Sequence, residues 1–141
     1  SAASDVYKRQ VLRLHDSGEI MDWEKLSPVL GIEELEELRR QIMQVRVDEK
    51  IKAYIVRLVE MTRESGWLYL GASPRASLAL MKGAKAYAAL QGRDFVVPED
   101  IIRLAQPVFR HRIQLSAERE LEGVSVDQVI TQLAAKVEVP R

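Results

Sequence analysis

The 141-residue sequence contains no cysteine, which excludes disulfides, thiolate catalysis and cysteine-ligated zinc together. Two histidines, His15 and His111, are too few for a histidine-rich metal site. Charge of one sign is also missing, because 21 Lys and Arg balance 21 Asp and Glu. A dedicated DNA-binding domain draws its affinity from a surplus of cations against phosphate, so nucleic acid is not an expected partner. Aromatic residues make up only 6%. No run nears the roughly 18 apolar residues that span a bilayer, so no membrane partner is expected either. Residues 1–9 lack the apolar stretch of a signal peptide, and the expected location is cytoplasmic. The sequence holds no G-x-x-x-x-G-K-[ST] phosphate loop, no G-x-G-x-x-G turn and no nucleophile elbow. Taken alone, it has no machinery for catalysis.

What is present is the raw material of one helical domain. Hydrophobic residues reach 47% and charged residues 30%, enough to build a core within the usual domain length of about 100–150 residues. Val6, Tyr7, Val11 and Leu14 give a weak helical spacing over residues 4–14, and His15-Asp16-Ser17-Gly18 reads as its stop. Residues 21–30 read as irregular, anchored by Trp23, Leu26, Val29 and Leu30. After Gly31, the steps Ile32, Leu35, Leu38, Ile42 and Val45 mark a helix whose first turns carry Glu33, Glu34, Glu36 and Glu37. A second starts at Asp48 and runs through Ile51, Ile55, Leu58, Val59 and Thr62 to Ser65-Gly66. Trp67 to Ala72 reads as a loop. Ser73-Pro74, a favoured N-cap followed by a favoured first residue, opens a third helix that stops at Gly92 and is rich in Ala around Gly83. A fourth follows Pro98-Glu99-Asp100 and is expected to kink or divide at Pro107. Residues 116–121 make one turn, and Ser125 with Gln128 fits a capping box opening the last helix. Val45–Val47 and Phe95–Val97 each lead into a helix and are expected to pair as a minimal strand bridge. The fold class is an all-α bundle of about five helices. Residues 1–25 stand apart as an N-terminal segment, with Ser1-Ala2-Ala3-Ser4 reading as an expression remnant or the cut edge of something longer.

One charged residue stands out. Arg75 falls at the second helical position, where a cation meets the positive end of the helix dipole. An anion joining it would turn that cost into a gain, since first-turn amides and a guanidinium fork then face one phosphate together. From the residues alone a solvated arginine tolerating its position is the simpler reading, because the cost is only a few tenths of a kcal/mol and salt screens it. Lys82 and Lys85 could extend a positive strip from Arg75. Arg110-His111-Arg112 is a small basic cluster, read either as a contact to phosphate or an acidic partner, or as a solvated helix end. Glu33 to Glu37 read as a solvated face without metal-binding partners. Trp23, Trp67 and Tyr69 read as core or interface anchors, since no basic stripe interleaves them as base stacking requires.

The segment Leu70-Gly71-Ala72-Ser73-Pro74-Arg75-Ala76-Ser77 resembles the C-terminal lid domain of MoxR-type AAA+ ATPases. So do Gly92 to Ile101, Pro107 to Ile113, Glu122 to Ser125 and Val139-Pro140-Arg141, and upstream Leu26 to Leu30 and Tyr54 to Val59. The resemblance covers residues 26–141, which it makes the lid domain, and implies a lid over a nucleotide-binding core that lies outside this sequence. Arg75 matches the sensor 2 arginine that reaches the nucleotide γ-phosphate, with Ser73 and Pro74 setting the helix start that positions it. The family's cofactors, ATP and Mg, belong to the intact protein. The family forms hexameric rings and acts in a chaperone-like way with proteins carrying von Willebrand factor A domains. Gly31 and Val97 stand where the family often has Ser or Thr, so two helices are expected to be poorly capped. The competing expectation is a free-standing helical interaction module, histone-like in its long central helices and short strand bridges.

Overall fold

The computed structural model describes residues 2–16 and 27–140. They belong to two compact units, Ser1–Leu35 and Glu36–Arg141. In the first, the weak apolar spacing forms helix α1, Ala2–Asp16. Residues 27–31 have neither helix nor strand, as expected; residues 17–26, including Trp23 and the expected Ser17-Gly18 stop, lie outside the described residues. Helix α2, Ile32–Gln44, begins in this unit and ends in the second. Gly31 offers no cap hydroxyl, and Glu34 reaches back so that its carboxylate accepts from the Gly31 N–H at 2.9 Å, the other half of a capping box. The periodicity of α2 is real, yet the helix buries no residue.

The second unit is built on α3, Glu49–Glu64, and α4, Pro74–Leu90. Asp48 caps α3 by accepting from the Lys50 N–H at 2.8 Å. Buried Ile51, Tyr54, Ile55, Leu58 and Val59 form the inward face of α3. On α4, Ala76, Leu80, Ala84 and Ala88 recur every fourth residue and are fully buried. Three alanines on that stripe let neighbouring backbones come close, and α5, Pro98–Phe109, packs on α4 more extensively than any other described pair of elements. Ile101, Ala105 and Phe109 of α5 complete the centre. Helix α7, Val126–Ala134, closes it with Ile130, while Val129 and Leu133 form a second, smaller cluster with Leu115; the helix is opened by the expected box, in which Ser125 Oγ accepts from the Gln128 N–H at 3.2 Å while Gln128 Oε1 accepts from the Ser125 N–H at 2.9 Å.

The expected strand bridge is present. Arg46 pairs parallel with Phe95, the Arg46 N–H donating to the Asp94 carbonyl at 2.8 Å and the Val96 N–H to the Arg46 carbonyl at 3.0 Å. It holds the starts of α3 and α5 side by side. Other expectations need correction. The loop over residues 67–72 contains strand β1, Leu68–Leu70, paired antiparallel with β2, Gln114–Leu115, in a two-stranded sheet. Strands this short show no alternation to read. Pro107 does not divide α5 but sits in its last turn, where it withholds one hydrogen bond from the Arg103 carbonyl at an exposed position. Seven helices form among the described residues: the five expected, α1 over the weak spacing of residues 4–14, and the single-turn α6, Ala117–Leu121, where one turn is expected.

Candidate functional site

The segment ahead of Arg75 is fixed by the last turn of α3. Thr62 is buried there; its hydroxyl donates to the Val59 carbonyl at 2.6 Å and accepts from the Ala72 N–H at 2.9 Å. The hydroxyl thus supplements a helix carbonyl and satisfies the Ala72 amide, which burial would otherwise orphan. Beside it, Gly71 lies so close to α3 that a β-carbon would stand 2.7 Å from both the Thr62 carbonyl oxygen and the Arg63 Cα. Only glycine fits that approach. Leaving this contact, the chain enters α4 through Ser73, whose backbone is extended at φ −78°, ψ 163°. Ser73 occupies the N-cap position, but its hydroxyl makes no bond to the first turn, contrary to the capping role expected of it. Pro74 takes the first helical position and needs no partner for an N–H it lacks. The Ala76 N–H turns back to the Ser73 carbonyl at 2.8 Å.

Arg75 therefore leaves from the first turn of α4. It is exposed, and among the described residues it has no hydrogen bond and no ion pair. Lys82 lies two turns further along the same face, also exposed and unpaired among the described residues. Lys85 departs from the strip: its ammonium donates to the Met43 carbonyl at 2.7 Å, at the C-terminal end of α2 where a cation is favoured. Arg39, Ile42 and Met43 of α2 line a hollow of about 340 Å³ with these two lysines.

The basic cluster at the end of α5 divides three ways. Arg110 forms a two-pronged pair with Asp127 of α7 at 2.8 and 2.7 Å, so it ties two helices together. His111 is exposed, and Arg112 reaches only the Val108 carbonyl at 3.5 Å. Glu33 to Glu37 are exposed, and Glu37 pairs with Arg40 at 2.6 Å, consistent with a solvated face. Trp67 is half-buried with cations over its ring, Arg119 at 4.5 Å and Lys136 at 3.8 Å. Tyr69 is 80% exposed and is no core anchor. Among the described residues no three His, Asp or Glu side chains gather as a metal site.

Sequence reasoning missed one pair entirely. Asp100, 2% exposed, receives both prongs of Arg93 at 2.9 and 2.6 Å and accepts from the Val97 N–H at 2.9 Å. Burial alone would push its carboxyl up, but the bonds from Arg93 and Val97 and the Arg93 charge outweigh that and hold it below the usual aspartate range. Through Val97 it also makes the half of a capping box that needs no hydroxyl, the N3 carboxylate reaching back to the N-cap N–H. Seven residues separate the partners, a spacing that signals nothing in a sequence.

Known proteins resemble this chain closely. The AAA lid domain family matches residues 60–133. The uncharacterized protein YeaC of Bacillus subtilis is 43% identical over 117 residues, covering 83% of this chain and 37% of that protein. Chaperone MoxR1 of Mycobacterium tuberculosis is 35% identical over 97 residues, covering 62% and 26%. Protein MoxR of Methylorubrum extorquens is 29% identical over 128 residues, covering 81% and 37%. A crystal structure from Cytophaga hutchinsonii, described as a "putative ATPase", superposes with a TM-score of 0.76 at 31% identity, over 95% of this chain and 44% of its own. The chain spans little more than a third, at most, of the curated relatives it matches.

Proposed function

The chain belongs to the AAA lid domain family, of the kind carried by MoxR-type AAA+ ATPases, and from this premise we propose that it closes over ATP held by a core domain and couples hydrolysis to lid movement. The observation that carries this reading is Arg75: exposed, unpaired among the described residues, and presented from a helix start whose approach is clamped to α3. A charged, planar fork with no carboxylate to satisfy it suits an incoming phosphate. In the sensor 2 role, the guanidinium faces the γ-phosphate and offsets charge on its oxygens as the phosphoryl group transfers. Ser73 and Pro74 set where the helix begins, and so where Arg75 stands.

The residues described fit one end of a nucleotide and no more. Arg75 suits a terminal phosphate, whereas Mg, which accompanies ATP in such ATPases, finds no cluster of ligands here. Binding of the ATP base, the sugar and the metal falls to the core domain. The uncovered apolar positions of α2, Leu38 at 45% and Met43 at 60% exposed, suit a surface that packs on another domain. Assembly into a homo-hexamer, chaperone-like remodelling of a partner protein and partnership with von Willebrand factor A domain proteins extend the same proposal. The name Chaperone MoxR1 supports the second of these. A cytoplasmic location is proposed too; among the described residues no helix is long and apolar enough to cross a membrane. No observation favours a free-standing histone-like module over this reading.

The test is turnover. The isolated chain should hydrolyse no ATP, and a polypeptide joining it to an AAA+ core should. In that polypeptide Arg75→Ala should lower kcat about 100- to 1000-fold, the range for removing one preorganised donor from a transition state, with helix content unchanged by circular dichroism. Unaltered kcat would take Arg75 out of the mechanism.

A further inference from the structure

Arg75 can act on a phosphate only if the first turn of α4 is held at a fixed height and angle, since misplacement of a catalytic group by about 1 Å costs on the order of 100-fold. Regular structure does not hold the approach: Ala72 and Ser73 are in no helix or strand, and Ser73 makes no side-chain cap bond to the first turn. What holds the segment comes instead from α3. On one side is the Thr62 hydroxyl, 2% exposed as a residue, which accepts from the Ala72 N–H at 2.9 Å. On the other is the missing side chain of Gly71, which lets the loop lie directly on the Thr62 carbonyl and the Arg63 Cα. Ala72 itself is fully buried. Between this anchor and Arg75 there are only two residues, one of them a proline with fixed φ.

We propose that Thr62 is a positioning residue for Arg75: its hydroxyl, with Gly71 beside it, registers the start of α4 against the end of α3 and so sets where the guanidinium meets the phosphate. The inference rests on the sensor reading of Arg75 and adds a residue that touches no nucleotide. It accounts for an otherwise odd arrangement. A threonine in the last turn of a helix usually bonds back to its own helix, as Thr62 does to Val59 at 2.6 Å. Here the oxygen's acceptor capacity is used as well, and it is spent on the segment that leads to the arginine.

A double-mutant cycle in the polypeptide joined to its core tests this. Thr62→Val keeps the shape and removes the acceptor; it should lower kcat about threefold to tenfold with KM for ATP little changed. Thr62→Ser keeps the acceptor and should restore most of the loss. In an Arg75→Ala background, Thr62→Val should cost nothing further, because a positioning residue has nothing left to position. Gly71→Ala displaces the same loop from its other side and should show the same non-additivity, so an unstable Thr62→Val protein does not end the test. In the chain alone, hydrogen exchange should show the Ala72 amide losing protection in Thr62→Val while the middle of α4 keeps it. An undiminished kcat in Thr62→Val, or equal losses in the presence and absence of Arg75, overturns the inference. Should Arg75→Ala itself leave kcat unaltered, the sensor reading falls and this inference falls with it, which is a different result from additivity.

Discussion

Asp100 joins two roles that usually fall to separate residues, closing the first turn of α5 and neutralising Arg93. Because its folded carboxyl titrates below the unfolded value of about 3.9, its contribution is complete above about pH 4 and is lost as acid carries the protein through the folded value. Asp100→Asn should therefore destabilise the chain by about 1–3 kcal/mol near neutrality, from the weakened cap and the unpaired guanidinium. The gap between wild-type and variant denaturation midpoints should narrow as the pH falls below about 4; a gap independent of pH would contradict the pairing. The pair was invisible in the sequence because it depends on the turn at Gly92 and on the Arg46–Phe95 bridge folding residues 93–97 back toward α5. Arg75 was legible for the opposite reason: Ser73-Pro74 is a local signal, and a helix start places its second residue without help from the rest of the fold.

The helices were read well wherever a cap or an apolar step lay within a few residues. The two serines at helix starts show how far that reading goes. Ser125 makes both halves of its box, whereas Ser73 makes no cap bond. Ser125→Ala should cost about 1 kcal/mol and Ser73→Ala only a few tenths, compared by chemical denaturation; equal costs would mean the hydroxyls are used alike. Composition favours both serines equally, and only the tertiary setting of the loop before α4, already tied down by Thr62, distinguishes them. The β1–β2 pair escaped notice because five residues cannot display a period. Pro107 leaves α5 undivided, since a proline in the last turn of a helix removes a bond that the helix end scarcely needs.

Taken together, the described residues form a core around α3, α4, α5 and α7 that does not require α2. The apolar steps of α2 correctly announced a helix and wrongly implied a buried one, because periodicity records that a face is meant to be covered but not by what. Met43→Gln should then change the stability of this chain by no more than about 0.5 kcal/mol, as for other exposed positions. The same substitution in the core-joined polypeptide should lower its melting temperature by several degrees if α2 packs on the core. A loss of similar size in the lone chain would show that α2 is already covered there.

Lys85 gives α2 a second significance. Its bond to the Met43 carbonyl fastens the end of α2 to a point ten residues along α4 from Arg75, about 15 Å by helical rise. A helix is stiff over that length, so the end of α2 is tied to the same rod that presents Arg75.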